Sequence, residues 1–278
     1  MRRPLPRIDV HAELREVTEA LVDLLNELDE REWLLPTLHR DRSVKDLASH
    51  LLDGSLRRIA VMRDGFSGET FRGQSYDDLV AFIQRLNREW ILATRRLSPR
   101  MLVRMIQEAD EEVLSLFAAR APDDPAAFSI AWAGEATSAH WFDVAREYTE
   151  KWHHQQQIRD AVGRPGLASR RHLLPVLATF VRGLPHAYRD VTAPDGTAVQ
   201  LALGGEGTSV YCLVRDEGAW HLEAKVIADP TCEVVLDGEV AWRLWTKGLV
   251  SDDQPSRIAV HGDAGLAAPL LAMTCIMA

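Results

Sequence analysis

The sequence predicts a mostly α chain in two parts: an N-terminal up-and-down four-helix bundle, then a smaller α+β domain. Three observations carry this. Apolar residues recur at three- and four-residue spacing up to about residue 182. Beyond about residue 188 the pattern turns to period two, with tight turns between short runs. Serine start signals and Gly/Pro stop signals separate the long periodic segments. A chain of 278 residues exceeds the commonest single-domain size, so two domains are expected, 1–166 and 167–278.

The helices follow in order. Residues 10–30 carry a stripe of Val10, Leu14, Val17, Leu21, Leu24, Leu25 and Leu28. A connection with Trp33 and Pro36 leads to Ser43, which with Asp46 forms a capping-box pattern, and the next helix runs to about residue 63. Val44, Leu47, Leu51 and Ile59 mark its inner face, and His50, three residues after Leu47, shares that face. Residues 64–74 hold three glycines and read as a loop. Ser75 and Asp78 repeat the capping pattern and open a helix to about residue 97. Ser98-Pro99 starts another, with Leu102, Ile106, Val113 and Phe117 on its stripe, broken by residues 121–125. The last bundle helix spans roughly 138–162 and ends at Gly163 and Pro165.

One more helix is expected over 169–182, with helical periodicity ending near Pro185. Strands are expected over 199–203, 210–214, 220–224 and 232–236, the middle pair joined by the hairpin signal Asp216-Glu217-Gly218. Residues 239–247 read as helical, 258–260 as extended and 264 onward as helical.

Composition excludes several functions. Hydrophobic content of 46% and charged content of 26% suit a globular core. A net charge of −9 speaks against nucleic acid and anionic membrane as partners. Cys212, Cys232 and Cys275 are scattered without a CxxC pair, so buried free thiols are expected. Neither a signal peptide nor a membrane span is read, and the expected location is cytoplasmic. No GxSxG occurs, and residues 204–207 lack the Lys-Ser/Thr of a phosphate loop. Trp33, Trp141 and Trp152 are expected in the core.

The chemistry concentrates at residues 146–158. Glu150 and His154 sit four apart, about 40° around a helix, and can reach one cation. His153 lies about 60° to the other side of Glu150, and spacing leaves it open as a ligand, as it does Glu147. The plainer alternative for this helix is a charged, solvated face. His50 taken alone would be a satisfied core histidine.

The run Glu150-Lys151-Trp152-His153-His154-Gln155-Gln156-Gln157 resembles the last bundle helix of the DinB superfamily, with Glu150 in place of that motif's first His. That replacement is the form of the mycothiol-dependent maleylpyruvate isomerase family. Trp33, Pro36 and the segment from Ser43 to Leu51 resemble that family's tryptophan loop and first-ligand helix. Arg159 to Pro165 and Ala241-Trp242-Arg243-Leu244 are also similar to it, the latter within a sterol-carrier-like C-terminal domain.

The resemblance implies His50, Glu150 and His154 as metal ligands and His153 as a non-ligand. It implies a divalent metal, zinc before nickel or iron, with an open coordination position. It further implies mycothiol or a similar thiol as cofactor, activated to add to a small electrophilic substrate. Isomerisation follows if the adduct rotates and expels the thiol, and S-transfer if it does not. Transfer or conjugation is favoured, since a fold does not fix a substrate. Arg243 is the expected catalytic cation for an anionic substrate, with Lys247 as the other candidate. Gln157 stands where many isomerase-like members have Asp. The rivals are a metal-dependent hydrolase using bound water and a non-catalytic binding or regulatory protein with a structural metal. A monomer or homodimer is expected.

Overall fold

Local signals set most of the helix boundaries in this computed structural model, which describes residues 5–38, 41–204, 208–248 and 257–276. Helix α1 (His11–Glu27) stops earlier than its apolar stripe suggests. The Asp29 carboxylate accepts from the amides of Arg31 and Glu32, both at 2.8 Å, and turns the chain into a 3-10 turn at Glu32–Leu34. Helix α2 (Val44–Met62) opens with a complete capping box: Asp46 N donates to Ser43 Oγ and Ser43 N donates to the Asp46 carboxylate. Ser75 and Asp78 do the same for α3 (Tyr76–Thr94). Ser98 caps α4 (Pro99–Ala118), with Pro99 at the first helical position, where its missing N–H costs nothing. Helix α5 (His140–Val162) ends at Gly163, whose φ of 65° is the left-handed C-terminal stop.

The described residues divide into two compact units. Asp9–Ser129 with Thr137–Leu167 form a helical unit, and the residues up to Ile8, Ile130–Ala136 and Ala168–Ile276 form an α+β unit. In the helical unit α1, α2, α4 and α5 make the four-helix bundle, while α3 packs chiefly on α2. The expected stripe of α3 is accordingly only half-buried at Leu79, Phe82, Ile83 and Leu86, with Asn87, Ile91 and Thr94 buried. Helix α5 is the buried one: from residue 151 to 158 every side chain is buried. The solvated charged face considered for it is therefore absent.

In the α+β unit, helix α6 (Arg170–Phe180) and a 3-10 turn lead into α7 (Leu184–Ala187). Pro185 thus lies in the first turn of a helix rather than ending one. Five strands follow: β1 (Ala198–Gly204), β2 (Ser209–Asp216), β3 (Ala219–Glu223), β4 (Cys232–Asp237) and β5 (Ile258–Gly262). The sheet order is β3-β2-β1-β4-β5, antiparallel except for the parallel pair β1–β4. Glu217 and Gly218 have φ of 51° and 77°, which makes the β2–β3 connection the tight hairpin its sequence signals. Helix α8 (Gly238–Trp245) is capped by Asp237 and ends before Lys247, whose φ is 56°. Helix α9 (Ala264–Ala272) closes the described fold. Cys212, Cys232 and Cys275 are free and buried, and burial raises all three thiols, Cys212 to about 11. Residues 205–207 of the glycine-rich stretch lie outside the described residues.

Candidate metal centre

Two bundle helices place the cluster. Helix α2 carries His50 on its inner face, beside the capped start that fixes the helix's position. Helix α5 carries Glu150 and His154 one turn apart, facing α2. Among the described residues, His50, Glu150 and His154 form one group whose potential ligand atoms all lie within 4.8 Å of one another. The His50 and His154 rings meet edge to face with centroids 4.8 Å apart. His154 Nε2 lies 3.5 Å from Glu150 Oε2. The cluster is not sealed: the Glu150 side chain is 23% exposed, against 8% for His154.

The electrostatics keep His50 and Glu150 in ligand form. Burial pushes the His50 imidazole well below its ordinary value, and the charges of His154, Arg42 and Arg57 push the same way. His50 is thus neutral, with a free lone pair. Burial would raise the Glu150 carboxyl, but its interactions with the adjacent His154 and His153 outweigh it and hold it well below the usual carboxylate range.

The buried Nδ1 of His50 has no hydrogen-bond partner. An orphaned buried nitrogen is costly, and a cation within the cluster is one way to use such a ring. The donor set of two imidazoles and a carboxylate suits zinc. On both grounds the residues fit a divalent ion.

His153 is adjacent but engaged elsewhere. Its Nδ1 donates to Thr149 O at 2.8 Å, and its ring lies on that of His154 with centroids 3.9 Å apart. His154 Nδ1 lies 2.8 Å from Gln157 Oε1, and Gln157 is 2% exposed. Trp152 is fully buried with Nε1 donating to Leu167 O, Trp33 is 3% exposed, and Trp141 is half-buried against Phe142. Arg243, on α8 in the other unit, lies over the Trp242 ring at 4.3 Å and 4.0 Å from Glu239. Lys247 is exposed beyond the end of that helix.

A second polar constellation lies along the same seam and escapes a reading by periodicity. Arg58 on α2 makes a bidentate pair with Asp143 at 2.7 and 3.0 Å, and its Nε reaches Glu147 at 2.7 Å. Its guanidinium sits 4.9 Å from the Phe117 ring centroid and 5.2 Å from that of Phe128. Lys151 bridges Asp110 and Ser55 at 2.7 and 3.1 Å, also buried. Apart from Asp110 Oδ2, which has no hydrogen-bond partner, these groups satisfy one another, which marks them as framework. The only hint in the sequence is the four-residue spacing of Asp143 and Glu147 on a helix poor in apolar residues.

Comparison with known proteins agrees with this architecture. A search of curated proteins finds no match. Two solved structures, of the mycothiol-dependent maleylpyruvate isomerase and of a histidine-to-alanine mutant of it, share 13% identity with this chain. Each match covers 92% of this chain and 93% of that one, with TM-scores of 0.56 and 0.55, which establishes a common fold. The family model described as the mycothiol maleylpyruvate isomerase N-terminal domain matches residues 14–159. That span is more than half of the 278 residues and runs from α1 through the helix bearing Glu150 and His154. The chain belongs to the mycothiol maleylpyruvate isomerase N-terminal domain family.

Proposed function

We propose that this protein is a divalent-metal enzyme that activates a small thiol of the mycothiol type for attack on a small electrophile. The observation that carries the proposal is the convergence of His50, Glu150 and His154 at a partly open position, with a neutral imidazole and an ionised carboxylate. His50 holds the ion from α2, and Glu150 and His154 hold it from α5. Zinc suits this set best, with nickel or iron able to replace it. When bound, the ion supplies a Lewis-acid position that lowers the pKa of a thiol toward neutrality. The exposed edge of Glu150 marks the side from which a ligand enters. Mycothiol is named for both the family and the neighbouring structures, and it is the thiol proposed here. Transfer of the thiol to the electrophile, or isomerisation through reversible addition, both fit this site.

An anionic substrate would need a cation, and Arg243 is proposed for that role. Arg243→Ala should then raise KM for an anionic substrate without loss of metal, and unchanged kinetics would remove it from the site. The thiol reading is tested by absorption spectroscopy of the cobalt-substituted protein. Millimolar-scale thiol should shift the cobalt bands through a sulfur bond, on the order of the usual thiolate effects. Bands indifferent to thiol, together with ester or amide hydrolysis, would favour bound water as nucleophile and contradict the proposal.

A further inference from the structure

The structure assigns Gln157 as a positioning residue that presents Nε2 of His154 to the cluster, an inference that rests on the metal reading above. Gln157 follows His154 by three residues on α5, so the two side chains share one helix face. Both are buried, at 2% and 6% exposure. The distance of 2.8 Å between His154 Nδ1 and Gln157 Oε1 is that of a full hydrogen bond. The amide carbonyl can only accept, so the Nδ1 proton is donated to it. The other ring nitrogen, Nε2, is the one beside Glu150 at 3.5 Å. Gln157 thereby fixes both the ring orientation and the nitrogen that serves as ligand, a role that partners of metal-bound histidines commonly perform.

The chemistry of the partner is also informative. A carboxylate in this place would accept the Nδ1 proton through a charge-assisted bond about twice as strong. It would make the imidazole a stronger donor to the ion and leave the ion less electrophilic. The neutral amide orients the ring without adding negative charge. The chain thus combines a preorganised ligand with an ion that keeps more of its Lewis acidity.

The test compares Gln157→Leu, wild type and Gln157→Glu, measuring zinc dissociation constants by chelator competition without thiol or substrate. Urea midpoints of the zinc-free forms run alongside. Leucine keeps the volume and removes the acceptor, so affinity should fall roughly 10- to 100-fold. Glutamate should bind zinc more tightly than wild type, a gain that packing alone would not give. Imidazole nitrogen NMR of the zinc-loaded wild type should show His154 bound through Nε2 with a proton on Nδ1. Equal affinities in the three proteins, a reversed order, or ligation through Nδ1 would overturn the assignment. If the Gln157→Leu substitution destabilises the fold, the glutamate variant and the NMR signature still decide. A wild type that takes up no zinc would overturn the metal reading itself, whereas stoichiometric zinc with equal affinities would overturn the role of Gln157 alone.

Discussion

His153 and His154 differ by one position, and the difference in their surroundings is set by α5. His153 gives its Nδ1 proton to Thr149 O, one turn back on its own helix, while His154 faces Glu150 and His50. Spacing alone leaves both open, because offsets of about 60° and 40° from Glu150 are each within reach on a helix. A third buried histidine, His140, shows how the same residue type can serve the framework. It is 1% exposed, its Nε2 donates to Phe117 O at 3.1 Å, and its Nδ1 has no partner. Burial pushes its pKa below 6.5, aided by Arg120 and His11, with the Phe117 hydrogen bond and Asp143 pulling the other way. The unfolded chain takes up a proton near pH 6.5 that the folded chain refuses. The stabilisation is therefore full above about pH 6.5 and is lost as pH falls below it. His140→Gln, which keeps a donor for the Phe117 carbonyl, should make the fall in urea midpoint between about pH 7 and 5 shallower. An equally steep fall would exclude His140 as a contributor.

Helix α5 is the element on which fold and site meet. It buries Asp143, Glu147 and Lys151 as well as His153 and His154, and each of these three charged side chains has a partner on α2 or α4. Arg58→Ala would leave Asp143 and Glu147 in the bundle core with only Arg146, at 3.2 and 3.3 Å, as a cationic partner, at a cost of about 3–5 kcal/mol. Chemical denaturation of the metal-free protein measures this, and a loss below about 1 kcal/mol would contradict the role given to Arg58. Helix starts are legible in the sequence because they depend on contacts three residues away, as with Ser43 and Asp46. The stop of α1 is less so, since the Asp29 turn interrupts a stripe that Leu28 continues. The burial of α5 is not legible: Arg58 lies 85 residues from Asp143, and a charged helix reads as solvated until its partners are placed. The α3 stripe misleads in the opposite direction, being apolar yet outside the four packed helices.

At the scale of the whole chain, the family assignment comes from the helical unit, and the structural similarity extends to 92% of the chain. The change from helical to two-residue periodicity near residue 188 is matched by a five-stranded sheet beginning at Ala198. The parallel pairing of β1 with β4 lies beyond a sequence reading, because strand order depends on contacts that periodicity does not encode. Among the described residues no helix is long and apolar enough to cross a membrane. What distinguishes a catalytic member of such a fold from a merely similar one is its site, and the site proposed for this chain is the His50, Glu150 and His154 cluster. The central claim is that these three residues bind one divalent ion and His153 does not. Metal analysis of the purified wild type and of the His50→Ala, Glu150→Ala, His154→Ala and His153→Ala variants tests it most directly. Roughly one ion per chain is predicted for wild type and His153→Ala, with loss in the other three. Retention of the ion by His50→Ala or His154→Ala, or its loss from His153→Ala, would contradict the account.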